Sequence, residues 1–162
     1  LLKILLQKHY GLAPRYLPAP PRPDLEALDA ALVIGNEAMM DDRQPVPFSY
    51  DLGDLWLRRT GHPVVFAVFA VQREYARAHD HEVRAVIDSY RASLDRLASE
   101  RERLIVAAAR RYPDIRYDID HYYTLLQFEF TDALKNALQF YFDEAAALSL
   151  LPRVPSLVFF PH

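Results

Sequence analysis

The sequence predicts an α/β fold in which short apolar strands gather before residue 72 and helices dominate after it. Three observations carry this reading. The run 31–34 (Ala-Leu-Val-Ile) is uninterruptedly apolar and is closed by Gly35, the pattern of a strand buried on both faces. The run 63–71 is longer, apolar throughout and rich in Val and Phe, which predicts a strand in the middle of a sheet. From Asp80 onward apolar residues recur at helical spacing, with charges on the opposite face.

The first element is predicted as a helix from Leu1 to about Tyr10. Leu2, Leu5 and Leu6 share one face, and Lys8 and His9 suit the negative end of its dipole. Gly11 and Pro14 stop it. Pro18, Pro20, Pro21 and Pro23 then make an extended connector. Asp24 caps a short helix that leads into the run 31–34 and its glycine. There Gly35 turns the chain sharply and Asn36 caps a helix whose first turn carries Glu37. Residues 41–47 read as loop and 48–50 as a brief strand. Asp51 caps a helix over about 52–59, ended by Thr60-Gly61.

A long helical tract opens at Asp80 and breaks near Ser99. It carries Val83, Val86, Ile87, Tyr90, Leu94 and Leu97 at helical spacing and ends before Pro113. Asp118 caps a helix reaching about Gln127, and Thr131 caps the last long one, with Ala137, Leu138, Tyr141 and Ala145 in its apolar stripe. The run 157–160 reads as a terminal strand or a hydrophobic tail.

Composition excludes several function classes. A formal net charge of −3 leaves no excess cation to neutralise phosphates, which argues against a general nucleic-acid binder. With no cysteine there is no disulfide, thiolate-bound zinc, iron–sulfur cluster or thiol nucleophile. No apolar run is long enough to span a membrane. Leu1 begins already in helical pattern with nothing before it to cap the helix, so the chain is expected to be part of something longer.

The strand–glycine–helix turn at Gly35-Asn36 is the first candidate site. Amide N–H groups at such a turn attract anions, although many such turns bind nothing. Glu37 is a candidate acid or base, or simply a surface carboxylate favoured by the helix dipole. His79-Asp80-His81-Glu82 is a poor metal cluster, since residues two apart on a helix do not face each other, and it reads better as a helix start. His62 reads as a turn residue. There is no P-loop, no G-x-S-x-G, no H-E-x-x-H and no triple-glycine dinucleotide motif.

Three motifs recur in order: Asp29-Ala30-Ala31-Leu32-Val33-Ile34-Gly35-Asn36-Glu37-Ala38-Met39, then Tyr50-Asp51-Leu52-Gly53-Asp54-Leu55-Trp56, then Thr60-Gly61-His62-Pro63-Val64-Val65-Phe66-Ala67-Val68. Together they resemble the chorismate dehydratase family of the futalosine route to menaquinone. The resemblance is best over about 29–71. It implies a type II periplasmic-binding-protein-like fold of two α/β lobes, N-terminally truncated here, with a helix-rich C-terminal half. Residues 1–65 would be a second-lobe segment carrying the ligand turn. Residues 66–162 would be a crossover strand and a helical part packing on the incomplete first lobe.

The implied activity is that of a cytoplasmic lyase that removes water from chorismate, a dicarboxylate, with no metal and no cofactor. Gly35 and Asn36 would bind the substrate, and Phe66 and Ala67 would wall the cleft. The catalytic group is expected in N-terminal segments without counterpart here, with Glu37 the one candidate present. Asn36 stands where the family usually has Asp, and Asn caps equally well but cannot act as a base. Two alternatives remain open: the paralogous 1,4-dihydroxy-6-naphthoate synthase, which tends to carry a His-Glu pair at this turn, and a solute-binding protein of the same fold that holds a small anion without chemistry.

Overall fold

In a computed structural model, residues 1–40 and 46–161 of the chain are described. The loop expected over 41–47 falls mostly outside them. The chain divides into two compact units, each discontinuous in sequence. One comprises Leu1–Leu17, Val46–Ala70 and Phe128–His162; the other comprises Pro18–Pro45 and Val71–Gln127. These divisions cross the sequence boundary at 65/66.

The first unit is built from three helical segments. Helix α1 (Leu2–Ile4) widens into a π-helical turn, Leu5–His9. Gly11 takes the expected left-handed conformation after it, with φ 65°. The π turn redirects His9. Instead of facing the helix terminus, its ring packs edge-on against Trp56, centroids 6.4 Å apart, and its Nε2 is buried without a hydrogen-bond partner among the described residues. Lys8 reaches out and pairs with Glu144 at 2.6 Å.

The second helical piece, α3 (Leu52–Thr60), forms as expected. The Asp51 carboxylate accepts the Asp54 N–H at 2.8 Å, and Gly61, at φ 72°, donates its N–H to the Leu57 carbonyl. The third piece, α8 (Asp132–Ala147), starts on Thr131, whose hydroxyl accepts the Leu134 N–H. It ends where Ser149 adopts φ 55° and the Leu150 N–H returns to the Ala145 carbonyl. Trp56, 1% exposed, sits among Ile4, Leu5 and Ala145, with Phe140 and Tyr141 against its ring. The tail after α8 is not a strand. It folds back so that the Leu157 N–H donates to Gln139 Oε1 and Phe159 meets Phe130.

The second unit holds a 3-10 turn (Leu25–Ala27), the single-turn helix α2 (Asn36–Met39), α4 (Arg73–Ala78), α5 (Asp80–Ser99), α6 (Arg101–Arg111) and α7 (Ile119–Leu125). Asp24 caps the 3-10 turn and Asp118 caps α7, both as expected. The break at Ser99 is present, and α4 is an element the periodicity did not announce. Helices α4 to α7 touch in chain order. The Arg101 guanidinium fastens α6 to α7 through the Asp120 carboxylate and carbonyl, each at 2.8 Å. No described residue of this unit is buried; every buried apolar side chain belongs to the first unit.

The expected strands differ most. Residues 31–34, 48–50 and 63–71 form no ladder with described residues, and the only described bridge joins Met40 to Ile115, antiparallel. The run 31–34 is not buried: Leu32 is 55% and Ile34 74% exposed. The physical reason is hydrogen bonding. An unpaired segment keeps its N–H and C=O groups in water, because burying them unsatisfied is costly.

Trp56→Ala is expected to remove about 3–5 kcal/mol from the first unit. Urea unfolding followed by the helical circular-dichroism band measures it; an unchanged midpoint would mean the three helical pieces do not depend on the indole. Because Trp56 is the single tryptophan, wild-type emission is expected to be blue-shifted and to move red in the same transition.

Candidate functional site

The turn at residues 35–37 lies in the second unit. Gly35 has φ 62° and ψ −142°, a region nearly confined to glycine. It therefore stands outside the helix, and the Ala38 N–H reaches back to its carbonyl at 3.0 Å. This moves the expected cap by one residue. Gly35 occupies the cap position, and Asn36 is the first helical residue and makes no side-chain cap bond. Helix α2 is one turn long, so its dipole adds little; what the turn offers an anion is donors. The backbone N–H groups of Asn36 and Glu37 and the Asn36 carboxamide have no acceptor among the described residues.

Glu37 is already engaged. Its Oε1 accepts the backbone N–H of Arg22 at 2.6 Å. Arg22 has φ 54°, and its guanidinium Nη2 lies 3.9 Å from Met40 Sδ. The proline-rich connector thus brings a cation against the turn, a residue that sequence reasoning passed over. The available signal was an arginine held between Pro21 and Pro23, where the stiff backbone limits where its side chain can go.

Phe66 and Ala67 lie in the first unit, beside a cavity of about 430 Å³, within the range of small-molecule sites. Residues 63–68 form one wall, and Trp56, Ala137, Leu138, Tyr141 and Phe142 form the other. Among the described side chains on these walls only Trp56 and Tyr141 carry a polar atom, so this cavity suits an apolar or aromatic group. Phe66 is 84% exposed, and its ring edge passes close to Gly53 of α3, where a Cβ would stand 3.5 Å from Phe66 Cζ. His62 stacks on Phe140 with centroids 4.3 Å apart and donates its backbone N–H to Thr60 Oγ1, so it is part of the packing around Trp56.

The His79 region is a helix corner. Between α4 and α5 the Glu82 carboxylate accepts the Tyr75 hydroxyl through one oxygen and lies 3.0 Å from His79 Nδ1 through the other. The Tyr75 and His79 rings stack at 4.3 Å. The Tyr75 bond, and after it the His79 bond, hold the Glu82 carboxyl below its ordinary range, while the same bond raises the Tyr75 hydroxyl. Asp80 pairs instead with Arg84 at 2.7 Å.

Two predictions arise here. Gly35→Ala meets no neighbour within 4 Å, so its cost is backbone strain alone, about 1–3 kcal/mol. Denaturant unfolding would read it, and an unchanged stability would mean the turn readily leaves this conformation. Tyr75→Phe removes the main cause of the Glu82 shift, so the Glu82 pKa is expected to rise toward its ordinary value. Carboxyl-carbon NMR titration checks the direction. The sign follows from linkage: a depressed carboxylate favours the folded state above its unfolded pKa, and that contribution is lost as pH falls through the folded one.

Among the described residues no helix is long and apolar enough to cross a membrane. No solved structure matches the chain. A family model described as menaquinone biosynthesis matches residues 1–147, which includes the Gly35 turn, the Trp56 helix, the 63–68 wall and the whole of α8. The chain belongs to the menaquinone biosynthesis family.

Proposed function

We propose that this member of the family is a chorismate dehydratase, a lyase that releases water from chorismate to give 3-[(1-carboxyvinyl)oxy]benzoate. The observation that carries the proposal is the family match across 1–147 together with the three ordered motifs between Asp29 and Val68. The C3 hydrogen and the C4 hydroxyl leave as water, and aromatisation of the ring drives the step. The reading includes a two-lobe α/β architecture of the type II periplasmic-binding-protein kind. It is supported by the division of the chain into two compact units, each assembled from segments distant in sequence.

Chorismate carries two carboxylates and a partly unsaturated ring. In the second unit, the Asn36 and Glu37 amides and the Asn36 carboxamide are donors suited to a carboxylate. Glu37 is engaged through Oε1 by the Arg22 N–H, so in this reading it holds the connector against the turn and the proton acceptor lies elsewhere. Asn36, in place of a carboxylate, donates to the substrate without repelling it.

The test is incubation with chorismate read by mass spectrometry. A product one water lighter is expected. Asn36→Ala should lower kcat/KM by about 10–100-fold, the equivalent of one hydrogen bond to a charged group. Chorismate left intact by every form of the protein that carries residues 1–162, longer forms included, overturns the reading.

A further inference from the structure

The chain between α6 and α7 carries the contact that anchors the Gly35 turn. Met40 pairs antiparallel with Ile115, and the Arg116 N–H donates to the Met39 carbonyl at 3.3 Å. Both segments belong to the second unit. The one-turn helix α2 is therefore held at its end by a backbone bridge rather than by burial.

This pairing fixes where side chains go. Residues opposed across an antiparallel bridge share a face, and successive residues alternate. Met40 and Ile115 face one way; Met39 and Arg116 face the other. Arg22 reaches Met40 Sδ, so the proline-rich connector lies on the first of these faces. Met39 follows Asn36 by three residues on α2, so Asn36 lies on the face that Arg116 shares. The spacings are short: about 5.5 Å between opposed Cα atoms and about 5–6 Å between Cβ atoms one helical turn apart. The long arginine side chain spans such a gap. Arg116 is exposed, and its guanidinium has no hydrogen bond, ion pair or ring contact among the described residues. The nearby Asp118 carboxylate is occupied, accepting the His121 N–H at 3.0 Å.

We infer that Arg116 is a specificity residue of the proposed site, its guanidinium and the Asn36 carboxamide holding one carboxylate of the substrate between them. The inference rests on the proposed chorismate reading. A planar guanidinium presents paired N–H donors that match the two oxygens of a carboxylate, and the carboxamide offers a further N–H. Helix α2 is too short for its dipole to select an anion, so the cation supplies the charge. The pair then distinguishes a carboxylate from a neutral group of the same shape, which hydrogen-bond donors alone do poorly.

The experiment measures chorismate turnover, and calorimetric binding of chorismate and of 3-[(1-carboxyvinyl)oxy]benzoate, for the wild type, Arg116→Gln, Arg116→Lys, Asn36→Ala and the double variant Asn36→Ala with Arg116→Gln. The bridge uses only the backbone of Arg116, so these substitutions leave it in place. Arg116→Gln is expected to raise KM and both Kd values about 10–100-fold, the loss of a charge-assisted pair, with kcat and circular dichroism unchanged. Arg116→Lys is expected to recover part of the loss, because a point charge remains without the paired donors. The double variant should lose less than the product of the two single losses, since both groups hold the same carboxylate. Wild-type affinity in Arg116→Gln, or losses that multiply without coupling, overturns the inference while leaving the chorismate reading intact. A wild-type chain that binds neither compound overturns both. One that binds chorismate without releasing water overturns the reaction alone, and the Kd values then decide the role of Arg116.

Discussion

The first unit depends on the burial of one indole. Trp56 lies on α3, but the residues closing around it come from opposite ends of the chain: Ile4 and Leu5 from the first helical piece, and Phe140, Tyr141 and Ala145 from α8. The Lys8–Glu144 pair adds little by comparison, because a partly exposed ion pair is worth at most about 1 kcal/mol while an aromatic core residue is worth several. His9 shows the cost of this arrangement. Its ring meets Trp56, and its buried Nε2 finds no hydrogen-bond partner among the described residues.

The same core sets the apolar cavity. Trp56 forms part of its wall, α8 continues it, and the chain leaving Gly61 runs past as the opposite side. His62 on Phe140 fixes where that exit begins. The segment 64–68 therefore stands beside a helix face without a ladder. Its half-buried start at Val64 and Val65 and its exposed continuation reflect two different demands: side chains that gain from leaving water, and backbone groups that can leave it only in pairs.

The second unit is organised by polar connections rather than a core. Asp24 and Asp118 cap, Arg101 fastens α6 to α7, Glu82 closes the corner between α4 and α5, and Glu37 holds Arg22. Its helices carry apolar stripes that remain only half covered, as at Ile87, Tyr90 and Leu94. The Gly35 turn is a constrained point in this unit, because its backbone conformation admits glycine almost alone. That constraint presents two amides and the Asn36 carboxamide together, beside a cation.

Much of this was legible in the sequence because it is local. A cap needs only a side chain and an N–H two or three residues on, which is why Asp24, Asp51, Asp118 and Thr131 fall where their residue types place them. Helical stripes, the break at Ser99 and the left-handed Gly11 and Gly61 are equally short-range. The family was legible too, because the three motifs lie within 40 residues of one another. What only the tertiary structure decided is everything that needs a partner from far along the chain. Runs 31–34 and 63–71 have strand composition, yet a strand exists only when another segment accepts its hydrogen bonds, and no described residue does so. Arg22 meeting Glu37, His9 turning onto Trp56 and α8 closing over α3 are likewise meetings of distant residues. Periodicity and propensity state which face of a segment is apolar; they do not state what will cover it.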